Sequence, residues 1–555
     1  MDASTGSSSL EHPQRHPLGW EKLEGAPIYL DYNATTPISP EVSAAMLPFL
    51  QGFGWGNPSS THVFGEQAKR AVEYARRQVA DLIGCAEDEV FFTSGGTESN
   101  NWAIKGAVEA ALAHLPPGRR SGPAFRLVTS AVEHPAVTEV MEHLRDSRGF
   151  DLRVAPVDSQ GLVDADAVIA AAFGGAESGD LGRLESVTSA DDSFQHSEAS
   201  KVTNGIKEEG QAPESVEVAK AIMTDRSAVE ETSTTGVETE GAEKAGPVKV
   251  LNGVFDAKVD GKVDGVGQGN GQASQTLIVS IMHSNNEVGA IQPIAEIGRA
   301  LRKAGVVFHT DASQSIGKVP IKWDELEVDL LTIAGHKLYA PKGVGALIVR
   351  RGTRLAKLMH GAGHERGFRA GTENIMLIAG LGKACEVSRR DMARNVAHVT
   401  DVRDRLLSRL QQNLASGFQG SKRLALKVNG PIDAAKRLPS TLNISMSGVD
   451  GPRLLADLAP LVACSAGSAC HSGGHGSPVL KAMGVPPEFA ACTLRLSVGR
   501  ETTEEEVDAA ASCISEAIKK QHEFELPTIA VPDSFVSLFR QLSYSMGSPS
   551  PKKGG

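Results

Sequence analysis

Three short segments combine residue types that ordinarily serve chemistry rather than packing. The first, Thr93-Ser94-Gly95-Gly96-Thr97-Glu98-Ser99-Asn100-Asn101, stands where an apolar run (Val90-Phe91-Phe92) passes into a helical pattern. Glycines there let backbone N–H groups approach an anion, and a helix N-terminus adds partial positive charge, so the turn suits a phosphate. Ser and Gly also serve at such turns as plain helix caps. The second segment, Phe308-His309-Thr310-Asp311-Ala312-Ser313-Gln314, puts a carboxylate and an amide at the end of another apolar run. A buried acid there needs a cation or a donor, or else caps the next turn. In the third, Thr332-Ile333-Ala334-Gly335-His336-Lys337, a lysine follows a further apolar strand. It is either a solvated loop residue or a partly desolvated amine of lowered pKa. Taken together the three suit pyridoxal 5′-phosphate. The lysine forms a Schiff base, the acid keeps the pyridinium nitrogen protonated, and the Gly/Thr turn grips the phosphate.

The elements that must position these residues alternate in type. Residues 65–83 put Ala68, Ala71, Val72, Val79, Leu82 and Ile83 on one helical stripe. Strands are predicted at Val90–Thr93, Leu127–Thr129, Leu277–Met282, Val306–His309, Leu330–Ile333 and Val344–Val349, with a helix at Ile294–Lys303. Strands alternating with helices predict an α/β fold with a mostly parallel sheet covered on both faces. After about 376 the pattern becomes a long helix near 377–414, strands at Thr441–Met446 and Leu494–Val498, and a last helix opened by a Thr502-x-x-Glu505 capping box. The predicted organisation is therefore an N-terminal extension (1–27), a large domain (28–375), a smaller C-terminal α/β domain (376–521) and a peripheral tail (522–555).

The large domain is interrupted. Residues 174–275 hold 19 acids and 9 bases but only two aromatics, Phe194 and Phe255, and include the repeat-like Ala257-Lys-Val-Asp-Gly-Lys-Val-Asp-Gly265. Such a stretch buries too little apolar surface to offset its ordering entropy and is expected to be disordered. It carries −10 of the net charge of −11, so the rest of the chain is nearly neutral. That balance argues against nucleic-acid binding, and no apolar run approaches the ~18 residues of a membrane span. Residues 1–27 are net negative and lack an apolar core, which makes a cytoplasmic location the expectation. Six cysteines, none in C-x-x-C spacing, do not form a disulfide scaffold. The spacing of His471 and His475 matches no standard zinc set, so no metal is expected.

Further segments appear in order: Asp31-Tyr32-Asn33-Ala34-Thr35-Thr36-Pro37, Gly56-Asn57-Pro58-Ser59-Ser60, Glu133-His134, Ser284-Asn285-Asn286-Glu287, Arg369-Ala370-Gly371-Thr372-Glu373-Asn374 and Ser468-Ala469-Cys470. With the three above, they resemble the cysteine desulfurase and selenocysteine lyase group of the class-V aminotransferase superfamily, over about 28–173 and 276–520. The resemblance implies a fold-type I pyridoxal-phosphate enzyme with a seven-stranded sheet, acting as a homodimer. It implies Lys337 as the Schiff-base lysine, Asp311 as the pyridinium partner, Gln314 as donor to the ring hydroxyl, and His134 as the stacking, proton-shuttling histidine. Asn286 would touch the cofactor and face the substrate. Gly96, Thr97 and His336 would grip the phosphate, with Thr372 reaching in from the other subunit. Arg495 would hold the substrate carboxylate, with Asn33, Ala34 and Thr35 near the substrate end.

Cys470 is the exceptional cysteine, set in a Gly/Ser-rich segment unsuited to burying a thiol, with His471 and His475 beside it. The resemblance makes it the nucleophile that takes sulfur or selenium, leaving L-alanine and a persulfide or selenopersulfide; an acceptor protein would then be a partner. Two features bear on the chalcogen. Desulfurases of the iron–sulfur assembly type usually carry serine where this chain has Ala334, which favours the selenocysteine lyases, as do Cys470-His471-Ser472 and Leu438-Pro439. Gly361-Ala362-Gly363-His364-Glu365-Arg366-Gly367 looks more like the desulfurases. The expectation leans to a selenocysteine lyase, with a cysteine desulfurase as the alternative and a true aminotransferase third.

Overall fold

The apolar runs assemble into one sheet. The structure is a computed structural model that describes residues 26–52, 54–174, 274–417, 424–466 and 476–523. After a two-residue strand β1 (Ile28–Tyr29), the sheet strands are β2 (Val90–Thr93), β3 (Phe125–Ser130), β4 (Asp151–Ala155), β5 (Gln275–Ser280), β6 (Phe308–Asp311), β7 (Leu330–Ala334) and β8 (Gly345–Val349). Their spatial order is β2-β8-β7-β6-β5-β3-β4, and only the pairings made by β8 are antiparallel. Burial on both faces explains the continuous apolar runs. Val90, Phe92, Ala346 and Ile348 lie on one face of the sheet, whereas Phe91, Leu347 and Val349 lie on the other.

Helices cover both faces. Those from Pro40–Gln51 (α1), Val63–Ile83 (α2), Ala165–Phe173 (α5) and Ile294–Lys303 (α6) pack on the first face, and Gly96–Leu112 (α3) and Pro135–Arg148 (α4) on the second. Helix α2 buries the predicted Ala68, Ala71, Val72, Val79 and Ile83 and stops at Gly84, whose left-handed φ of 79° terminates the helix. A one-turn helix α7 (Trp323–Leu326) precedes β7.

A second core surrounds an antiparallel sheet of order β12-β13-β10-β9, where β9 is Ala425–Asn429, β10 Thr441–Ser447, β12 Ser465–Ala466 and β13 Thr493–Ser497. Helix α8 (Ile375–Gly417) spans 43 residues, about 65 Å at 1.5 Å per residue. Its first turns put Ile378, Leu381 and Ala384 into the first core, and Val402, Leu406 and Leu410 farther along enter the second. Helix α8 thus runs on from the expected boundary at 375/376 and belongs to both cores. Residues 28–30, at the start of the expected large domain, pack on the second core. Strand β1 pairs in parallel with β11 (Val462–Ala463), and Leu30 is buried in the second core.

Two local expectations move. Val306 and Val307 precede the strand, because Gly305 is left-handed and the Val306 N–H closes the end of α6 on the Leu301 carbonyl; β6 begins at Phe308. The capping box of the last helix (Glu504–Glu523) is Thr503-x-x-Glu506: Glu506 Oε2 accepts from the Thr503 N–H, and Thr503 Oγ1 from the Glu506 N–H. The predicted insertion falls on residues 175–273, outside the described residues, apart from its flanks. Among the described residues no helix is long and apolar enough to cross a membrane.

Candidate active site

Parallel sheets bind ligands beyond the carboxyl ends of their strands, and the predicted residues gather there. Strand β6 ends on Asp311, β7 leads into Gly335–Lys337, β3 into Glu133-His134, β5 into Ser284–Glu287, and β2 into Gly95-Gly96 at the start of α3. Gly95 has φ 148° and ψ −178°, a conformation reserved for glycine. A Cβ on Gly96 would stand 3.2 Å from both Ala334 Cβ and Ser313 Oγ, so the turn lies close against β7.

Lys337, Gln314, Asn33, Asn286 and Arg495 form one connected network. The Lys337 ammonium donates to the Asn33 carbonyl at 2.8 Å, and Gln314 Nε2 donates to the same oxygen at 2.9 Å. Asn33 is buried, with its N–H on Ser497 Oγ at 2.9 Å and its Nδ2 on Thr441 Oγ1 at 2.8 Å and the Asn286 carbonyl at 3.3 Å. Arg495, projecting from β13, donates through Nη1 to that Asn286 carbonyl at 3.1 Å. Its Nη2 reaches Asp31 Oδ1 at 2.8 Å and Ser465 Oγ at 3.1 Å. Arg495 Nε is buried without a partner among the described residues, a donor left for an anionic ligand.

The remaining predicted residues surround this network. Asp311 is buried; its Oδ2 accepts from Asn100 Nδ2 at 2.7 Å and its Oδ1 from the Ser313 N–H at 2.9 Å. His336 Nδ1 pairs with Thr35 Oγ1 at 3.2 Å, and the Ala34 N–H closes a turn on the Asp31 carbonyl at 2.9 Å. His134 caps α4, its Nδ1 accepting from the Ala136 N–H at 3.1 Å. His134 and Thr97 line one cavity of about 460 Å³ with Asn101, Lys105 and Glu139. Thr372 is exposed, next to left-handed Gly371 (φ 112°), and is not brought into this network. Cys470, with His471 and His475, lies outside the described residues. Of the other cysteines, burial pushes Cys85, Cys464 and Cys492 up to about 12, so none of these three is a ready thiolate.

Burial sets the protonation states. It lowers the Lys337 ammonium to about 8, with Arg495 adding to the effect and Asp311 and Asp31 opposing it. An amine of that pKa has a substantial neutral, nucleophilic fraction near neutrality. His336 falls to about 4 through burial and then the charges of Lys337, Lys342, Lys318 and His134, so it is a neutral imidazole at pH 7. Glu133 is fully enclosed and rises to about 8, chiefly through burial; its Oε1 accepts from Ser130 Oγ and the Met282 N–H.

The sequence reading missed Lys318. Its ammonium donates to Asn33 Oδ1 at 3.1 Å and Gln314 Oε1 at 2.9 Å, yet Gly317-Lys318-Val319-Pro320 reads as a surface turn. It also gave no role to Asp31 or Asn100, although both stand inside quoted motifs.

This arrangement defines the class: an α/β enzyme whose strand ends present an amine, a held carboxylate and a glycine turn to one ligand. The class-V aminotransferase family profile matches residues 28–172 and 258–510. The chain is 34% identical over 495 residues to a cysteine desulfurase IscS of Dictyoglomus turgidum, covering 89% of this chain and 95% of that protein. Among solved structures, a NifS-like protein aligns with TM-score 0.61 at 28% identity, covering 88% of this chain and 98% of the other. The structure of SspA in complex with cysteine aligns with TM-score 0.55 at 26% identity, over 86% and 99%. The chain belongs to the class-V aminotransferase family, in its cysteine desulfurase group, and its cofactor is pyridoxal 5′-phosphate.

The residues present fit that cofactor. Asp311 is held by two donors, Lys337 is a buried amine of lowered pKa, and Asn100 Oδ1 is a buried acceptor without a partner among the described residues.

Proposed function

We propose that this chain is a cysteine desulfurase, taking sulfur from L-cysteine and leaving L-alanine. The observation that carries the reading is the bridge from Lys337 through the Asn33 carbonyl, Asn33 Nδ2 and the Asn286 carbonyl to Arg495. It sets the cofactor-holding amine and a carboxylate-binding guanidinium on one small frame. An α-amino acid needs both at once. When bound, pyridoxal phosphate supplies an electron sink for charge developing at the substrate carbons. Lys337 and Asp311 would hold it, Gln314 and Asn286 contact it, and Gly96, Thr97 and His336 receive its phosphate. His134, which lines the 460 Å³ cavity, would accept or return a proton. Arg495 holds the substrate carboxylate beside Asn33, Ala34 and Thr35.

Cys470 then takes the sulfur. Its thiolate forms an S–S bond to the substrate sulfur as the carbon–sulfur bond breaks. The carbon keeps the electron pair and takes up a proton, so alanine leaves and a persulfide remains. The lean towards selenocysteine gives way to the alternative. The relatives bear the name cysteine desulfurase, and one aligned structure holds cysteine; the selenium lean rested on Ala334 and on motifs such as Cys470-His471-Ser472 and Leu438-Pro439. A homodimer belongs to the same reading. It is supported by the exposed Thr372, which would serve the partner's phosphate site, and by exposed Trp55, Leu50, Leu47 and Val63. An acceptor protein would receive the sulfur from Cys470.

The test is alanine release from L-cysteine and L-selenocysteine, compared as kcat/KM in wild type and Cys470→Ala. The wild type is expected to be active on cysteine, and Cys470→Ala to bind cofactor yet release no alanine from it. Unchanged cysteine turnover in Cys470→Ala, or wild-type turnover of selenocysteine alone, would overturn the reading.

A further inference from the structure

Lys318 stands in a turn just past Gln314, shaped by left-handed Gly317 (φ 73°), where a Cβ would come within 2.9 Å of Ser388 Oγ. The turn carries the lysine back beneath the site, and its ammonium meets two side-chain amide oxygens, Asn33 Oδ1 at 3.1 Å and Gln314 Oε1 at 2.9 Å. A lysine head can only donate when charged, and keeps two N–H donors when neutral. Both amides must therefore turn their oxygens towards the charged head.

We propose that Lys318 is a positioning residue that fixes the amide of Gln314, so that its NH₂ end faces the Asn33 carbonyl, the same oxygen that receives the Lys337 amine. The inference rests on the cofactor reading above. Asn33 has other holds, through Thr441 Oγ1, the Asn286 carbonyl and Ser497 Oγ. Gln314 Oε1 is held by Lys318. Without that bond the amide is free to rotate, and its oxygen would then confront the Asn33 carbonyl, acceptor against acceptor. Held as it is, one N–H of Nε2 serves Asn33 and the second stays available to the cofactor. Burial, then the charges of Lys337 and Arg495, lowers the Lys318 ammonium to about 7. While charged the head can only donate, so the lock is complete in the ammonium form.

The test is a double-mutant cycle on cofactor affinity, read by titrating each apo-protein with pyridoxal phosphate and following visible absorbance. The four proteins are wild type, Gln314→Ala, Lys318→Met and the double variant. Lys318→Met alone is expected to weaken binding about tenfold, the scale of one misdirected hydrogen bond. In the Gln314→Ala background it should add no more than about twofold, because the group it positions is gone. Equal losses in both backgrounds would show that Lys318 only supports the fold, and no loss in either would show that it positions nothing; each overturns the proposal. If Lys318→Met does not reach the wild-type circular dichroism spectrum, Lys318→Gln, which keeps a polar head in the site, carries the same cycle. A wild type that binds no pyridoxal phosphate would overturn the cofactor reading as well, whereas the cycle alone judges Lys318.

Discussion

Replacing Arg495 by lysine isolates what the guanidinium fork does. Its side chain is 11% exposed and that of its partner Asp31 19%, with 2.8 Å between Nη2 and Oδ1. Arg495→Ala would strand the Asp31 carboxylate, a loss of about 3–5 kcal/mol for a broken buried pair, which would confound any kinetic reading. Lysine keeps the charge for Asp31 but offers a point donor in place of a planar fork. The substrate carboxylate then loses one charge-assisted hydrogen bond, about 1.5–3 kcal/mol, or roughly 10- to 150-fold at 1.36 kcal/mol per decade. The carboxylate is gripped alike before and during the reaction, so the loss belongs in KM, with kcat falling much less. The assay is alanine release over a range of L-cysteine concentrations, with thermal unfolding as the control for folding. A KM within about twofold of wild type, in a folded protein, would refute the placement of the substrate carboxylate on Arg495.

Other perturbations probe the frame around the site. Glu133→Gln keeps the acceptor for Ser130 and Met282 but removes a carboxyl that burial holds protonated up to about pH 8. Its folded pKa lies above the unfolded value, so in wild type stability is lost as pH rises from about 4.5 to 8. The glutamine variant should gain in Tm relative to wild type across that window and level off above it; a gap that does not change with pH would contradict the assignment. Glu365→Ala removes the partner of buried Arg76, with bonds of 2.7 and 2.9 Å, and the acceptor of the Phe92 N–H. It should destabilise by about 3–5 kcal/mol in denaturant unfolding, and a change under about 1 kcal/mol would count against a tightly buried pair. Replacing residues 175–273 with a short Gly/Ser linker should leave cofactor binding intact. The flanks already touch, Thr276 Oγ1 donating to the Ala172 carbonyl at the end of α5, and the family match itself breaks between 172 and 258. A colourless or insoluble product would refute this.

How much was legible follows from how local each signal is. Strands buried on both faces announce themselves as apolar runs, and Asp311 and Lys337 stand out as polar residues at their ends. Where neighbouring residues offer two registers, sequence alone cannot choose. Thr502 and Thr503 are followed by Glu504, Glu505 and Glu506, so two capping boxes fit. The decision lies in the turn before the helix: Thr502 Oγ1 is already taken by the Gly499 N–H at 2.9 Å. Lys318 was illegible for a similar reason. A lysine after glycine and before Val-Pro looks solvated, and only the fold of the 315–319 turn brings it onto Gln314.

The candidate site draws on residues from both sides of the expected boundary at 375/376. Asp31 pairs with Arg495 across 464 positions of sequence, and the Asn33 N–H is met by Ser497 across the same span. Thr441 and the Asn286 carbonyl complete the hold on Asn33. The carbonyl that receives Lys337 and Gln314 is thus positioned largely by the C-terminal sheet, through a segment whose first residues pair with β11. Residues 28–375 contain Lys337 but lack Arg495, Ser497 and Thr441, and with them the proposed substrate half of the frame. On the proposed roles, Lys337 and Arg495 can meet only after the second core has closed on the first. Helix α8, buried in both cores, is the element that makes that closure part of the fold.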